Sequence, residues 1–80
     1  MRRRRKIQVL ENMVLDILSK NKEKAFTVKE MEGRIKGRYI DQSFHWNNRT
    51  LQHVMLVMYR YGYIDRSRGS TGRYEYRWKD

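Results

Sequence analysis

Between Asn48 and His53 the chain carries Asn48, Arg49, Thr50, Gln52 and His53, each with a side-chain group able to donate or accept a hydrogen bond. An arginine fork matches the two acceptors on the major-groove edge of guanine, and a carboxamide matches the acceptor and donor on adenine. A second group is purely cationic: Arg60, Arg66, Arg68 and Arg73 toward the C-terminus, and Arg2, Arg3, Arg4 and Arg5 at the start. Guanidinium groups of this kind hold phosphate oxygens, or enter a narrow minor groove. The bland alternative is a solvated polar helix face with a soluble hairpin tip. Other chemistries find no support. His45 and His53 stand alone, without the ligand cluster a metal needs. Asp16, Asp41, Asp65 and the glutamates form no paired set for acid–base catalysis. There is no glycine-rich phosphate loop with a lysine. We therefore expect no enzyme activity, no metal, no cofactor and no evident small-molecule effector.

The charge balance favours a polyanion as partner. Nineteen Lys and Arg residues stand against nine Asp and Glu, a net charge of +10 over 80 residues. The excess sits at the two ends. Residues 1–6 carry +5, and residues 60–80 carry six basic groups against three acidic ones, while residues 7–26 are neutral. A hydrophobic share of 39% is enough for one small core. Cysteine is absent, so there is no disulfide framework. No apolar run reaches the length of a membrane span. These features lead us to expect a soluble protein of the cytoplasm, associated with intracellular DNA.

The elements that would position these groups follow from patterning. The like-charge run in residues 1–6 reads as a flexible basic arm, and residues 7–80 as one domain. Ile7, Leu10, Val14, Ile17 and Leu18 recur at helical spacing, with Val9 and Met13 widening the stripe on one flank. The polar run 19–24 ends that helix, and Ala25 and Phe26 read as extended. Thr27 with Glu30 forms a capping box, and Phe26 with Met31 a hydrophobic staple. Met31 and Ile35 face inward, and Gly37 is the expected stop. Residues 38–46 form a connector whose Tyr39, Ile40, Phe44 and Trp46 should pack down. Asn47 or Asn48 caps a third helix that runs to about Tyr61, with Gly62 beyond its end. Leu51, Val54, Met55 and Met58 share its inner side; Arg49, Gln52, His53, Leu56 and Arg60 share the opposite side, at roughly 100° per residue. Tyr63 and Ile64 open a hairpin whose turn is Gly69-Ser70-Thr71-Gly72. Its second strand alternates Tyr74, Tyr76 and Trp78, read as core-facing, with Arg73, Glu75 and Arg77.

The segments "TVKEMEGRI", "NNRTLQHVMLVMYRYGYI" and "DRSRGSTGRYEYRW" together resemble a winged helix-turn-helix domain, over nearly all of residues 7–78. They look like the first helix of the pair, the recognition helix with its Gly-aromatic-Ile ending, and the wing. The connector 38–46 is longer than the family's tight turn. The resemblance implies an α+β fold of three helices, a short strand and a C-terminal β-hairpin wing. It also implies a third helix in the major groove of DNA, with the wing beside it.

The expectation is thus a sequence-specific double-stranded DNA-binding protein, a transcriptional regulator. Asn48, Arg49, Thr50, Gln52 and His53 would read bases. Arg60, Arg66, Arg68, Arg73 and the arm Arg2–Arg5 would hold the backbone or minor groove. The alternatives are a low-specificity architectural or replication-associated module, and a protein-interaction module. A homodimer through the first helix, using Val9 and Met13, is the expected assembly.

Overall fold

The computed structural model describes the backbone of residues 2–38 and 46–80, and side chains from Ile7 onward within those ranges. Helix α1 spans Arg2–Ser19, α2 Val28–Arg38 and α3 Asn48–Arg60. Strands β1 (Ile64–Arg68) and β2 (Tyr74–Trp78) pair antiparallel, with Ile64 opposite Trp78 and Arg68 opposite Tyr74. Phe26 adds an isolated bridge to the outer edge of β2: its N–H donates to the Tyr76 carbonyl at 2.8 Å, and the Tyr76 N–H returns a bond at 2.7 Å. The extended stretch expected at Phe26 is that bridge. The result is a small α+β fold of three helices and a two-stranded hairpin, consistent with a winged-helix layout.

The helix faces expected to be apolar are the ones buried. Leu10, Val14, Ile17 and Leu18 of α1, Met31 and Ile35 of α2, and Leu51, Val54, Met55 and Met58 of α3 meet Phe26, Ile64 and Tyr76 in one core. Three amphipathic faces converge because none can bury its stripe alone. No described buried side-chain nitrogen or oxygen lacks a partner. Among the described residues, no helix is long and apolar enough to cross a membrane.

Local signals set the boundaries. At the start of α2 the Thr27 N–H donates to Glu30 Oε1 at 2.9 Å, and the Glu30 N–H donates to Thr27 Oγ1 at 3.1 Å. This is the reciprocal capping box, and Phe26 and Met31 are both buried beside it as the staple requires. At the end of α3 the Gly62 N–H reaches the Tyr59 carbonyl at 3.0 Å and the Tyr63 N–H reaches Met58 at 2.9 Å. Those two bonds define a Schellman ending, and Gly62 supplies its left-handed residue with φ of 81°. In the hairpin, Gly72 (φ 83°) follows a turn closed by its own N–H on the Gly69 carbonyl at 3.0 Å. A turn followed by a left-handed glycine is a favoured way to close a three-residue loop.

Three expectations need correction. The backbone of the arginine run is helical and continuous with α1, which starts at Arg2 and not at Ile7. Arginine is a good helix former, and extending a helix already nucleated by packing costs little. Gly37 does not stop α2, which continues to Arg38. A glycine inside a helix costs about 1 kcal/mol. Here that cost is opposed by ion pairs on either side, Lys36–Glu32 at 3.4 Å and Arg38–Asp16 at 3.3 Å. Tyr74 is 43% exposed, so only Tyr76 and Trp78 of the three alternating aromatics face the core. Alternation sets which face a side chain takes, and says nothing of how far along the strand that face is covered. Of the pair that widens the stripe on one flank, both are half-buried, and Met13 packs against the core cluster. Tyr39, Ile40 and Phe44 of the connector, with Asp41 and His45, lie outside the described residues. Trp46, at the connector's end, is half-buried against the core as expected.

Candidate nucleic-acid interface

Asn47 is the residue that caps α3. Its Oδ1 accepts from the Thr50 N–H at 2.9 Å and from the Thr50 hydroxyl at 3.1 Å. The Thr50 hydroxyl thereby donates into the cap and keeps its lone pairs as acceptors. Asn48 Nδ2 donates to Glu32 Oε1 of α2 at 3.3 Å, an exposed bond that ties the two helices at the head of α3. Arg49, Gln52, His53 and Arg60 are exposed along the outward face, with Leu56 half-buried between them. Among the described residues, none forms a hydrogen bond or ion pair with Arg49, Gln52 or His53. The face opposite the core therefore presents a guanidinium, a carboxamide and an imidazole within little more than one turn.

Beyond the shared core, Arg66 links the hairpin to the end of this helix. The Arg66 guanidinium lies 3.9 Å from the ring centroid of Tyr74 on β2 and 4.4 Å from that of Tyr59 on α3. Arg68 lies 5.0 Å from the same Tyr74 ring, and its Nη2 donates to the Tyr74 hydroxyl at 3.1 Å. A cation over an exposed aromatic face is worth about 0.5–1 kcal/mol. Two such contacts on Arg66 hold it between helix and strand. The hydrogen bond from Arg68 is the largest influence on the Tyr74 phenol and, with the charges of Arg68 and Arg66, lowers its pKa below the ordinary 10.0. Arg73, at the other shoulder of the turn, is exposed, and its carbonyl accepts from the Gly69 N–H at 2.8 Å.

Tyr59 and Tyr74 are the members of this constellation that patterning misses. Tyr59 is recognisable only as a residue off the core face, and the alternation of β2 assigns Tyr74 inward. The partner of both is Arg66, and its position across from Tyr76 in the hairpin register is a tertiary fact.

The electrostatics favour an anion. Ion pairs on α1 and α2 include Lys20–Asp16 at 3.2 Å, Lys36–Glu32 and Arg38–Asp16. Among the described residues, no carboxylate pairs with Arg49, Arg60, Arg66, Arg68 or Arg73. The arginine run Arg2–Arg5 adds its charge at the start of α1, whose first turn holds no acidic residue. Groups of three or more metal-ligating side chains do not occur among the described residues.

No protein-family model, curated protein or solved structure matches the chain.

Proposed function

We propose that this chain is a winged helix-turn-helix protein that binds double-stranded DNA sequence-specifically and acts as a transcriptional regulator. One observation carries the reading. The outward face of α3 offers Arg49, Gln52 and His53 with no hydrogen-bond or ion-pair partner among the described residues, and Arg66, stacked on Tyr59 and Tyr74, joins that face to an arginine-bearing hairpin. A major groove admits one helix, and side chains near its N-terminal end reach base edges. Arg49 reads guanine and Gln52 adenine. Asn48 reaches a base only by releasing Glu32, and Thr50 serves through its cap. Arg60, Arg66, Arg68 and Arg73 hold phosphates or the minor groove beside the helix, and Arg2 to Arg5 extend the cationic surface. Pairing of two copies through α1 would use the half-buried Val9 and Met13, and would set two half-sites about 34–36 Å apart.

The test separates reading from gripping. With a site selected from random duplexes, Arg49→Ala or Gln52→Ala costs roughly 1–3 kcal/mol and relaxes preference at one position. Arg73→Ala weakens selected and random duplexes alike. Equal losses on both duplexes from all three variants would show that α3 is not the reader.

A further inference from the structure

Among the described residues four large hydrophobic side chains are exposed, all tyrosines, and two of them take no part in the arrangement above. Tyr61 is 74% and Tyr63 61% exposed, on either side of Gly62 at the junction of α3 and β1. Their ring centroids are 6.3 Å apart at an interplanar angle of 36°, so the rings are not stacked on one another. Both line an open groove of about 460 Å³ whose other walls are Ile7, Gln8 and Glu11 of α1. A cation stands beside them: the Lys79 ammonium is 3.5 Å from where a Cβ on Gly62 would lie. Arg60, the residue before Tyr61, is exposed as well.

We propose that the Tyr61–Tyr63 groove is a second nucleic-acid site, one that takes an unpaired nucleobase of single-stranded DNA with its phosphate on Lys79. Exposed aromatic rings stack on bases of any sequence, but only on bases free of a duplex stack. The neighbouring cations suit the backbone that such a base brings with it. The polar wall suits a base edge: the Glu11 carboxylate accepts from an exocyclic amine, and the Gln8 carboxamide both donates and accepts. Charge complementarity selects this occupant over a neutral protein surface, because the Lys79 ammonium stands at Gly62 between the two tyrosines, within a chain of net charge +10. The site does not depend on the duplex reading of α3, whose reading side chains lie at the other end of that helix.

The experiment uses the whole chain and a fluorescein-labelled oligodeoxycytidylate of about twelve nucleotides, with a random duplex as the parallel ligand. Stacked bases lose roughly tenfold in affinity for each aromatic removed. We expect the Tyr61→Ala/Tyr63→Ala variant to bind the single strand on the order of a hundredfold more weakly, and the Tyr61→Phe/Tyr63→Phe variant to bind it as the parent does. Lys79→Ala should reduce the single-strand salt slope by about 0.7. Duplex affinity and melting temperature should stay where they were, since neither ring is buried. The proposal is overturned if the parent chain does not bind the single strand. It is equally overturned if the double alanine variant binds it unchanged, if phenylalanine fails to restore binding, or if duplex and single-strand binding fall together.

Discussion

Arg49 and Gln52 stand three residues apart on the outward face of α3, and Arg66 stands between two tyrosines; the difference is one of freedom. Arg49 has no partner among the described residues and can turn to a base, whereas Arg66 is held 3.9 Å and 4.4 Å from the Tyr74 and Tyr59 rings. Restraint of that kind spares a cation the entropy of ordering when it meets a phosphate. Tyr74→Ala is therefore expected to weaken duplex binding beyond what Tyr74→Phe does, because phenylalanine keeps the stack and loses only the hydrogen bond to Arg68. The phenol also gives a pH signature. Its pKa lies below 10.0 because Arg68 donates to it, so its phenolate forms earlier than that of an ordinary tyrosine as pH rises. The phenolate offsets the charge of Arg68 and Arg66 and repels phosphate. Duplex affinity should fall as pH rises toward 10, and Tyr74→Phe should remove the early part of that fall. Affinities measured at stepwise alkaline pH check this; identical profiles for parent and variant would contradict it.

Among the elements, α2 has the start that is plainest in the sequence, and the effect of losing it is correspondingly easy to predict. The Thr27–Glu30 box caps α2, and Thr27→Ala should cost about 1 kcal/mol of stability in a denaturant titration. The Thr27 backbone N–H is the chief cause of the lowered Glu30 pKa, with burial opposing and Lys24 and Arg34 assisting. A carboxylate whose pKa is lower folded than unfolded stabilises above its unfolded value, near the ordinary 4.5, and loses that contribution as pH falls through the folded value. Glu30→Gln should flatten this acid-side loss. The same logic of local signals makes the Asn47 cap and the Gly62 ending legible, because each depends on residues a few positions apart, and the hairpin follows from the turn between its strands. Gly62→Ala forces a Cβ into a left-handed backbone and should cost about 1 kcal/mol. What is not legible depends on neighbours distant in sequence. Gly37 has the residue type of a stop, but Asp16 of α1 and Glu32 hold the cations beside it. Tyr74 has the alternation of a core residue, but its ring stays exposed and meets the Arg66 and Arg68 guanidinium groups. The start of α1 at Arg2 is set by a helix nucleated downstream, against a like-charge run that by itself favours no helix.

Across the whole molecule, the +10 charge and its distribution make salt the controlling variable. If about five phosphates are neutralised per domain, log K should fall with log salt at a slope near −4 to −5. Deleting residues 2–5 should shrink that slope and leave the core intact, since the buried residues of α1 among those described begin at Leu10. A deletion that unfolds the domain would mean that the first turns of α1 support the fold. Assembly has its own readout: Val9→Glu should convert a dimer into a monomer if copies pair through α1, as light scattering would report. Whether α3 reads sequence is decided by selecting bound duplexes from a random library. If it does, the bound pool converges on a short shared motif, with guanine and adenine positions that lose their preference in Arg49→Ala and Gln52→Ala. A bound pool as random as the input, from a protein that nonetheless binds duplex tightly, would contradict sequence reading by this helix.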